Sequence, residues 1–144
     1  MGLFTDALHF AVDAHGDARR KGDGAPAILH ATEAASIAAT LTTDERVLAA
    51  AVLHDTVEDT PATKDELAEL LPDEIRERFG DRVAELVAAE TEDKLRDRPA
   101  SETWRRRKEQ NMRSLLESDD RDVAIVFLSD KLSNMRSFYR HKLA

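Results

Sequence analysis

Apolar residues recur along this chain at helical spacing, and nothing in the pattern suggests strands, repeats or a second domain. Leu3, Phe4, Ala7, Leu8, Ala11 and Ala14 share one face, which predicts an amphipathic first helix over Leu3 to Ala18. Arg19-Arg20-Lys21-Gly22-Asp23-Gly24-Ala25-Pro26 then reads as a basic segment running into a loop. His30 stands just ahead of a short helix expected near Thr32 to Leu41. Thr42 and Glu45 have capping-box spacing before a central helix whose stretch Val47 to Leu53 is wholly apolar. Thr63 and Glu66 repeat that spacing for Lys64 to Leu71, with Pro72 ending the turn. Asp73 to Phe79 and Asp81 to Glu90 read as helices broken at Gly80, and Thr91 to Pro99 as a charged loop. A helix from Ser101 to Glu117 offers Trp104, Met112, Leu115 and Leu116 as core contacts. The last helix, Arg121 to about His141, is apolar at Val123, Ala124, Val126, Phe127 and Leu128 and then turns polar at Ser129-Asp130. The expected fold is an all-α bundle.

The central helix changes character abruptly. Directly after Leu53 come His54, Asp55, Glu58 and Asp59, although ionisable groups at the end of a core helix are costly to desolvate unless something pairs them. Adjacent helical residues lie roughly 100° apart, so His54 and Asp55 can flank one ion. His54 and Glu58 share a face, as do Asp55 and Asp59. A divalent cation would relieve the burial of such a group; the competing reading is a surface helix end with solvated acids. Asp130 interrupts an apolar helix just as His54 does. If the bundle brings His30, His54, Asp55 and Asp130 together, they form a site of imidazole and carboxylate ligands that leaves positions open for water and a phosphate oxygen.

Composition narrows the chemistry. The chain has 144 residues, enough for one domain with a substantial core, and 35% charged against 42% apolar residues suits a soluble helical protein rather than a disordered one. Without cysteine, disulfides and thiolate metal sites are excluded, which leaves manganese, iron, magnesium or zinc as fitting metals. A net charge of −8 argues against nucleic-acid binding, which needs a broad basic face. A small phosphorylated ligand remains compatible, given local basic residues and a metal. No apolar run approaches the roughly 20 residues that span a bilayer, and no secretory signal is visible, so a cytoplasmic location is expected. Oligomeric state is not legible.

Several segments, taken in order, match a family. They are Arg20-Lys21, Ile28-Leu29-His30, Ala51 through Thr60 (AVLHDTVEDT), Thr91-Glu92-Asp93-Lys94, and Leu128 through Arg136 (LSDKLSNMR). Together they resemble the HD-superfamily hydrolase domain of RelA/SpoT proteins, most closely the stand-alone small alarmone hydrolases. The resemblance implies an HD-domain helical bundle over residues 1–144. It also implies a manganese-dependent pyrophosphohydrolase that removes the 3′-diphosphate from guanosine tetra- or pentaphosphate (ppGpp and pppGpp). By the family pattern His30, His54, Asp55 and Asp130 would ligate the metal, while Glu58 and Asp59 would activate water and protonate the leaving oxygen. Arg20, Lys21 and Asn134 would contact the nucleotide, with Lys94 as a phosphate contact. His15 is similar to a structural histidine of the family's first helix.

Three departures accompany the match. Ala27 stands where the family has an aromatic residue, and Ala31 where it has proline. The family also continues with further helices after the Asn-Met-Arg segment, helices that form part of its nucleotide pocket, whereas this sequence stops at Ala144. Two other readings share the metal shell: an HD phosphohydrolase for another nucleotide or phosphate ester, and a non-catalytic HD regulatory module. Retention of Glu58 and Asp59 argues for turnover, since a binding module has no use for a proton-transfer pair.

Overall fold

The computed structural model describes residues 2–20, 24–56, 71–90 and 100–143. Among these, seven α-helices are present: α1 (Leu3–His15), α2 (Ala27–Ala38), α3 (Glu45–Leu53), α4 (Leu71–Phe79), α5 (Asp81–Glu90), α6 (Ala100–Glu117) and α7 (Arg121–Leu143). A 3-10 turn over His54–Thr56 extends α3. No strand occurs among the described residues beyond one isolated antiparallel bridge, Arg19 to Pro26.

α3 is the axis of the bundle. It packs against α1, α2, α5 and α7, and Val47 and Ala49 through Leu53 have no exposed surface. Ala49, Ala50 and Ala51 let neighbouring backbones approach closely, where Ala7 and Ala11 of α1 and Ala31, Ala35 and Ala38 of α2 answer with equally small side chains. Val47, Val52 and Leu53 supply bulk, each worth ~1.5–3 kcal/mol when fully buried. The start of α3 differs from the expected capping box. Asp44 is the N-cap and accepts from the Arg46 amide at 3.0 Å, while Thr42 Oγ1 accepts from the Asp44 amide. Glu45 instead reaches the free amide of Phe4 at 3.3 Å and ties α1 to α3.

Other boundaries moved for local reasons. α1 stops at His15 because Gly16 takes a positive φ of 53° and closes the turn onto Val12. α2 begins five residues earlier than Thr32. Pro26, with φ −55°, leads straight into the first turn, so His30 lies inside the helix rather than ahead of it. Pro72 lies in the first described turn of α4, where its missing N–H is tolerated. The break at Gly80 stands as expected, with φ 94° between α4 and α5. The Thr63–Glu66 pattern and the 91–99 loop lie outside the described residues.

The two C-terminal helices turn unexpected faces inward. In α6, Trp104, Met112 and Leu116 are exposed, Leu116 by 79%, and only Leu115 is half-buried. The inward series is Thr103, Arg107, Asn111 and Leu115, rotated by one residue from the apolar one. Small polar side chains there leave a cavity of about 300 Å³ beside Glu90, Asn111, Ser114 and Phe127. In α7, Ser129, Asp130, Ser133 and Ser137 are buried, while Leu128, Leu132 and Met135 face out. The hydroxyls admit α2 at close range and carry polar groups into the core.

Candidate metal centre

The end of α3 explains why His54 is where it is. The last carbonyls of a helix have no partner within it, and here side chains from the following turn supply them. His54 Nδ1 lies 2.6 Å from the Ala51 carbonyl, and Thr56 Oγ1 donates to the Leu53 carbonyl at 2.6 Å. A carbonyl only accepts, so the proton of the neutral imidazole is on Nδ1 and the lone pair of Nε2 points into the bundle. There it meets Asp130 Oδ1 at 3.0 Å and Asp55 Oδ1 at 3.1 Å.

His30 arrives from the first turn of α2. Its Nε2 lies 2.9 Å from Asp130 Oδ1 and 3.2 Å from Asp55 Oδ2, and its Nδ1 lies 2.9 Å from Ser133 Oγ. The two imidazole rings meet edge to face at 5.3 Å. One ligand atom from each of His30, His54, Asp55 and Asp130 falls within 4.8 Å of the others, a group that could hold a metal ion. The histidines and Asp130 are buried, but the Asp55 side chain keeps 21% of its surface open, so the cluster is reachable from one side.

The donor set fits a divalent cation. With both Nδ1 atoms engaged elsewhere, two Nε2 atoms and two carboxylates converge on one point, and only a cation or protons make that arrangement favourable. Without metal, protons fill the role. Burial works to lower the pKa of both histidines, but Asp55 and Asp130 outweigh it, so His30 is raised and His54 is raised well above its ordinary value. Burial likewise works to raise both carboxyls, yet the paired histidines hold Asp55 and Asp130 far below the usual carboxylate range.

Of the remaining residues singled out in the sequence, Arg20 and Asn134 come together. The bridge from Arg19 to Pro26 folds the α1–α2 connection back on itself, and Arg20 Nη2 donates to Asn134 Oδ1 at 2.7 Å. Asn134 Nδ2 sits 3.4 Å from Asp130 Oδ1, so the pair stands at the edge of the cluster. Lys21, Glu58, Asp59 and Lys94 lie outside the described residues.

Glu90 escaped the sequence reading. Its carboxyl is 7% exposed at the end of α5, within hydrogen-bonding reach of Asp130 and 3.6 Å from Lys131 Nζ. Lys131 Nζ in turn donates to Asp130 Oδ2 at 2.8 Å and lies 4.9 Å from the Phe127 ring centre. Burial first, and then the neighbouring Asp130 charge, push Glu90 up to about 8. A sequence signal existed: an acid at a helix C-terminus opposes the helix dipole and calls for another explanation.

Known proteins are similar to this chain over nearly its whole length. The family model for the HD domain matches residues 7–144. Over 136 residues the chain is 35% identical to the protein named guanosine-3′,5′-bis(diphosphate) 3′-pyrophosphohydrolase of Aquifex aeolicus, covering 92% of this chain and 17% of that protein. It is 35% identical over 137 residues to the GTP pyrophosphokinase rsh of Brucella ovis, covering 94% of this chain and again 17% of the relative. The chain thus spans about a sixth of the length of these curated relatives. Among solved structures, a metazoan ortholog of SpoT described as hydrolysing ppGpp superposes with a TM-score of 0.76 at 30% identity, covering 94% of this chain and 70% of that one. With its residues 7–144 matched and its helical bundle shared, the chain belongs to the HD-domain family.

Proposed function

We propose that the chain is a divalent-metal pyrophosphohydrolase that removes the 3′-diphosphate of guanosine tetra- or pentaphosphate, with manganese as its metal. The observation that carries this reading is the convergence of His30, His54, Asp55 and Asp130 on one buried point. Relatives named for that reaction support the choice of substrate. In this reading those four residues hold the ion, which when bound supplies Lewis-acid activation of a phosphate ester and of water.

The chain's own residues do the rest. The water oxygen bonds to the phosphorus attached to the 3′ oxygen, and the bond between them breaks. Glu58 and Asp59, which follow the 3-10 turn closely in sequence, take the proton from water and return one to the leaving 3′ oxygen. Pyrophosphate and GDP, or GTP from the pentaphosphate, are the products. In this reading Arg20, Lys21 and Asn134 contact the nucleotide and Lys94 a phosphate, local polarity and positive charge that offset a net charge of −8. Arg20 is held toward the cluster by Asn134, which pre-orients its guanidinium at the mouth of the site.

The test is product release from guanosine tetraphosphate by the purified protein, with Mn²⁺ and with chelator. Manganese-dependent release of pyrophosphate and GDP in equal amounts is expected. Hydrolysis of other phosphate esters with this nucleotide untouched would replace the proposal with a broader HD phosphohydrolase. Metal binding without turnover of any substrate would make the chain a regulatory module.

A further inference from the structure

The two histidines of the cluster are held by different means. His54 is fixed by a backbone carbonyl of its own helix, a partner that no side-chain change removes. His30 is fixed by Ser133, a hundred residues away, and Ser133 is fixed in turn by Glu33. The residues form two facing i, i+3 pairs, His30 and Glu33 on α2, Asp130 and Ser133 on α7. Where these helices pack, His30 spans both α7 residues and Glu33 closes the figure onto Ser133.

The direction of each hydrogen bond follows from counting protons. Ser133 Oγ lies 2.6 Å from Glu33 Oε1, and a carboxylate can only accept, so the single hydroxyl proton is committed to Glu33. The Ser133 oxygen is therefore left as an acceptor, and at 2.9 Å it takes the Nδ1–H of His30. That leaves Nε2 aimed at Asp130 and Asp55. Glu33 is itself steadied from the surface, with its other oxygen 3.5 Å from Arg140 Nη1 and 4.0 Å from Arg136 Nη1.

We propose that Glu33 and Ser133 are positioning residues for the metal centre, a carboxylate–hydroxyl–imidazole relay that fixes the ring orientation and tautomer of His30 and so presents Nε2 to the ion. The relay rests on reading the four-residue cluster as a metal site. Outer partners of ligating histidines work in this way when a carboxylate or carbonyl accepts the distal N–H; here a serine is interposed, because the α2–α7 contact places a hydroxyl between ring and carboxylate. Removing the hydroxyl strands Nδ1 in a buried position and frees the ring to carry its proton on Nε2, facing Asp130, where a metal must displace it.

The test is Mn²⁺ affinity, followed by the electron paramagnetic resonance of free ion, for the wild type, Ser133→Ala and Glu33→Gln. Ser133→Ala is expected to bind about 10–100-fold more weakly than wild type, with a smaller loss in Glu33→Gln, whose amide oxygen still accepts from Ser133. Long-range proton–nitrogen spectra of the Zn²⁺-loaded protein supply a readout that general destabilisation does not mimic. The Nδ1–H signal of His30 is expected in the wild type, strongly weakened by exchange in Ser133→Ala and less so in Glu33→Gln, while that of His54 stays. Glu33→Gln, at a partly exposed position and nearly isosteric, keeps the test alive if Ser133→Ala does not fold. Affinities and His30 signals unchanged in both variants would overturn the relay. A wild type that binds no Mn²⁺ would instead overturn the metal reading beneath it.

Discussion

Asp130 is where the polar contacts of the site meet. Its Oδ1 faces His30 and His54 at 2.9 and 3.0 Å with Asn134 beside it, while its Oδ2 accepts from Lys131 at 2.8 Å. The consequence of losing it differs from that of losing a residue proposed only to handle protons. In the proposed site Asp130→Ala removes a metal ligand, and it leaves two buried imidazoles and an ammonium without their common counter-charge. Mn²⁺ affinity is expected to fall by at least about 100-fold, and hydrolysis with it. Glu58→Gln should separate the two properties. Metal affinity stays within about threefold of wild type, while turnover falls by about 10²–10⁴, the range for loss of a general acid–base group. A metal titration beside an initial-rate assay decides it. A Glu58→Gln protein that turns over normally would remove that residue from the proton-transfer role.

Among the elements, α7 matters most because it carries Asp130, Ser133 and Asn134, and its start is anchored to α5. Asp120 Oδ1 accepts from the Asp122 amide at 3.0 Å, serving as the helix cap, and also from Arg82 Nη2 at 2.8 Å; Asp122 takes a second Arg82 bond at 2.9 Å. The Arg82 hydrogen bond holds the Asp120 carboxyl below its ordinary pKa. A depressed acid contributes stability above its unfolded pKa and loses it as pH falls through the folded value. Asp120→Ala should therefore cost about 1–2 kcal/mol near neutral pH, chiefly the cap with a small solvent-screened share from the ion pair. The deficit should shrink below the carboxylate range, and denaturant melts of both proteins at neutral and acidic pH would check it. Much at this scale was legible. The apolar run from Val47 to Leu53 announced the central helix, and Gly80 announced the break after Phe79. What stayed hidden depended on partners distant in sequence. Pro26 read as a loop residue, yet it starts α2 and thereby carries His30 into the core. Trp104, Met112 and Leu116 read as core by residue type, but Thr103 and Asn111 face inward beside Leu115, the one of the four expected contacts that does. Glu33 and Ser133 carry no local signal, since their role exists only where α2 meets α7.

For the molecule as a whole, the cluster links α2, the turn after α3 and α7, so an ion there ties three separate elements of the bundle together. Protons do the same work in its absence, which gives the metal-free and metal-loaded proteins opposite responses to pH. In the metal-free protein His30 and His54 are raised above the unfolded value of about 6.5. Glu90 is pushed up to about 8. Each group keeps its proton longer in the folded state than in the unfolded one, so stability falls as pH rises toward the folded pKa values. Asp55 and Asp130, depressed in the folded state, are ionised in both states above pH ~6 and add no slope there. In the proposed site metal binding requires both Nε2 atoms free of protons, so affinity rises over the same interval. The stabilisation by Mn²⁺ should therefore widen as pH rises above about 6.5, the unfolded histidine value, toward the raised folded values. At a free concentration about 100 times Kd it corresponds to about 2.7 kcal/mol, or roughly 5–10 °C in Tm for a chain of this size. Calorimetric melts with Mn²⁺ and with chelator at three pH values measure the interval, and His30→Ala should abolish it. A shift of the same size at every pH would mean that the ion does not compete with protons at these histidines, and that the two Nε2 atoms are not its ligands.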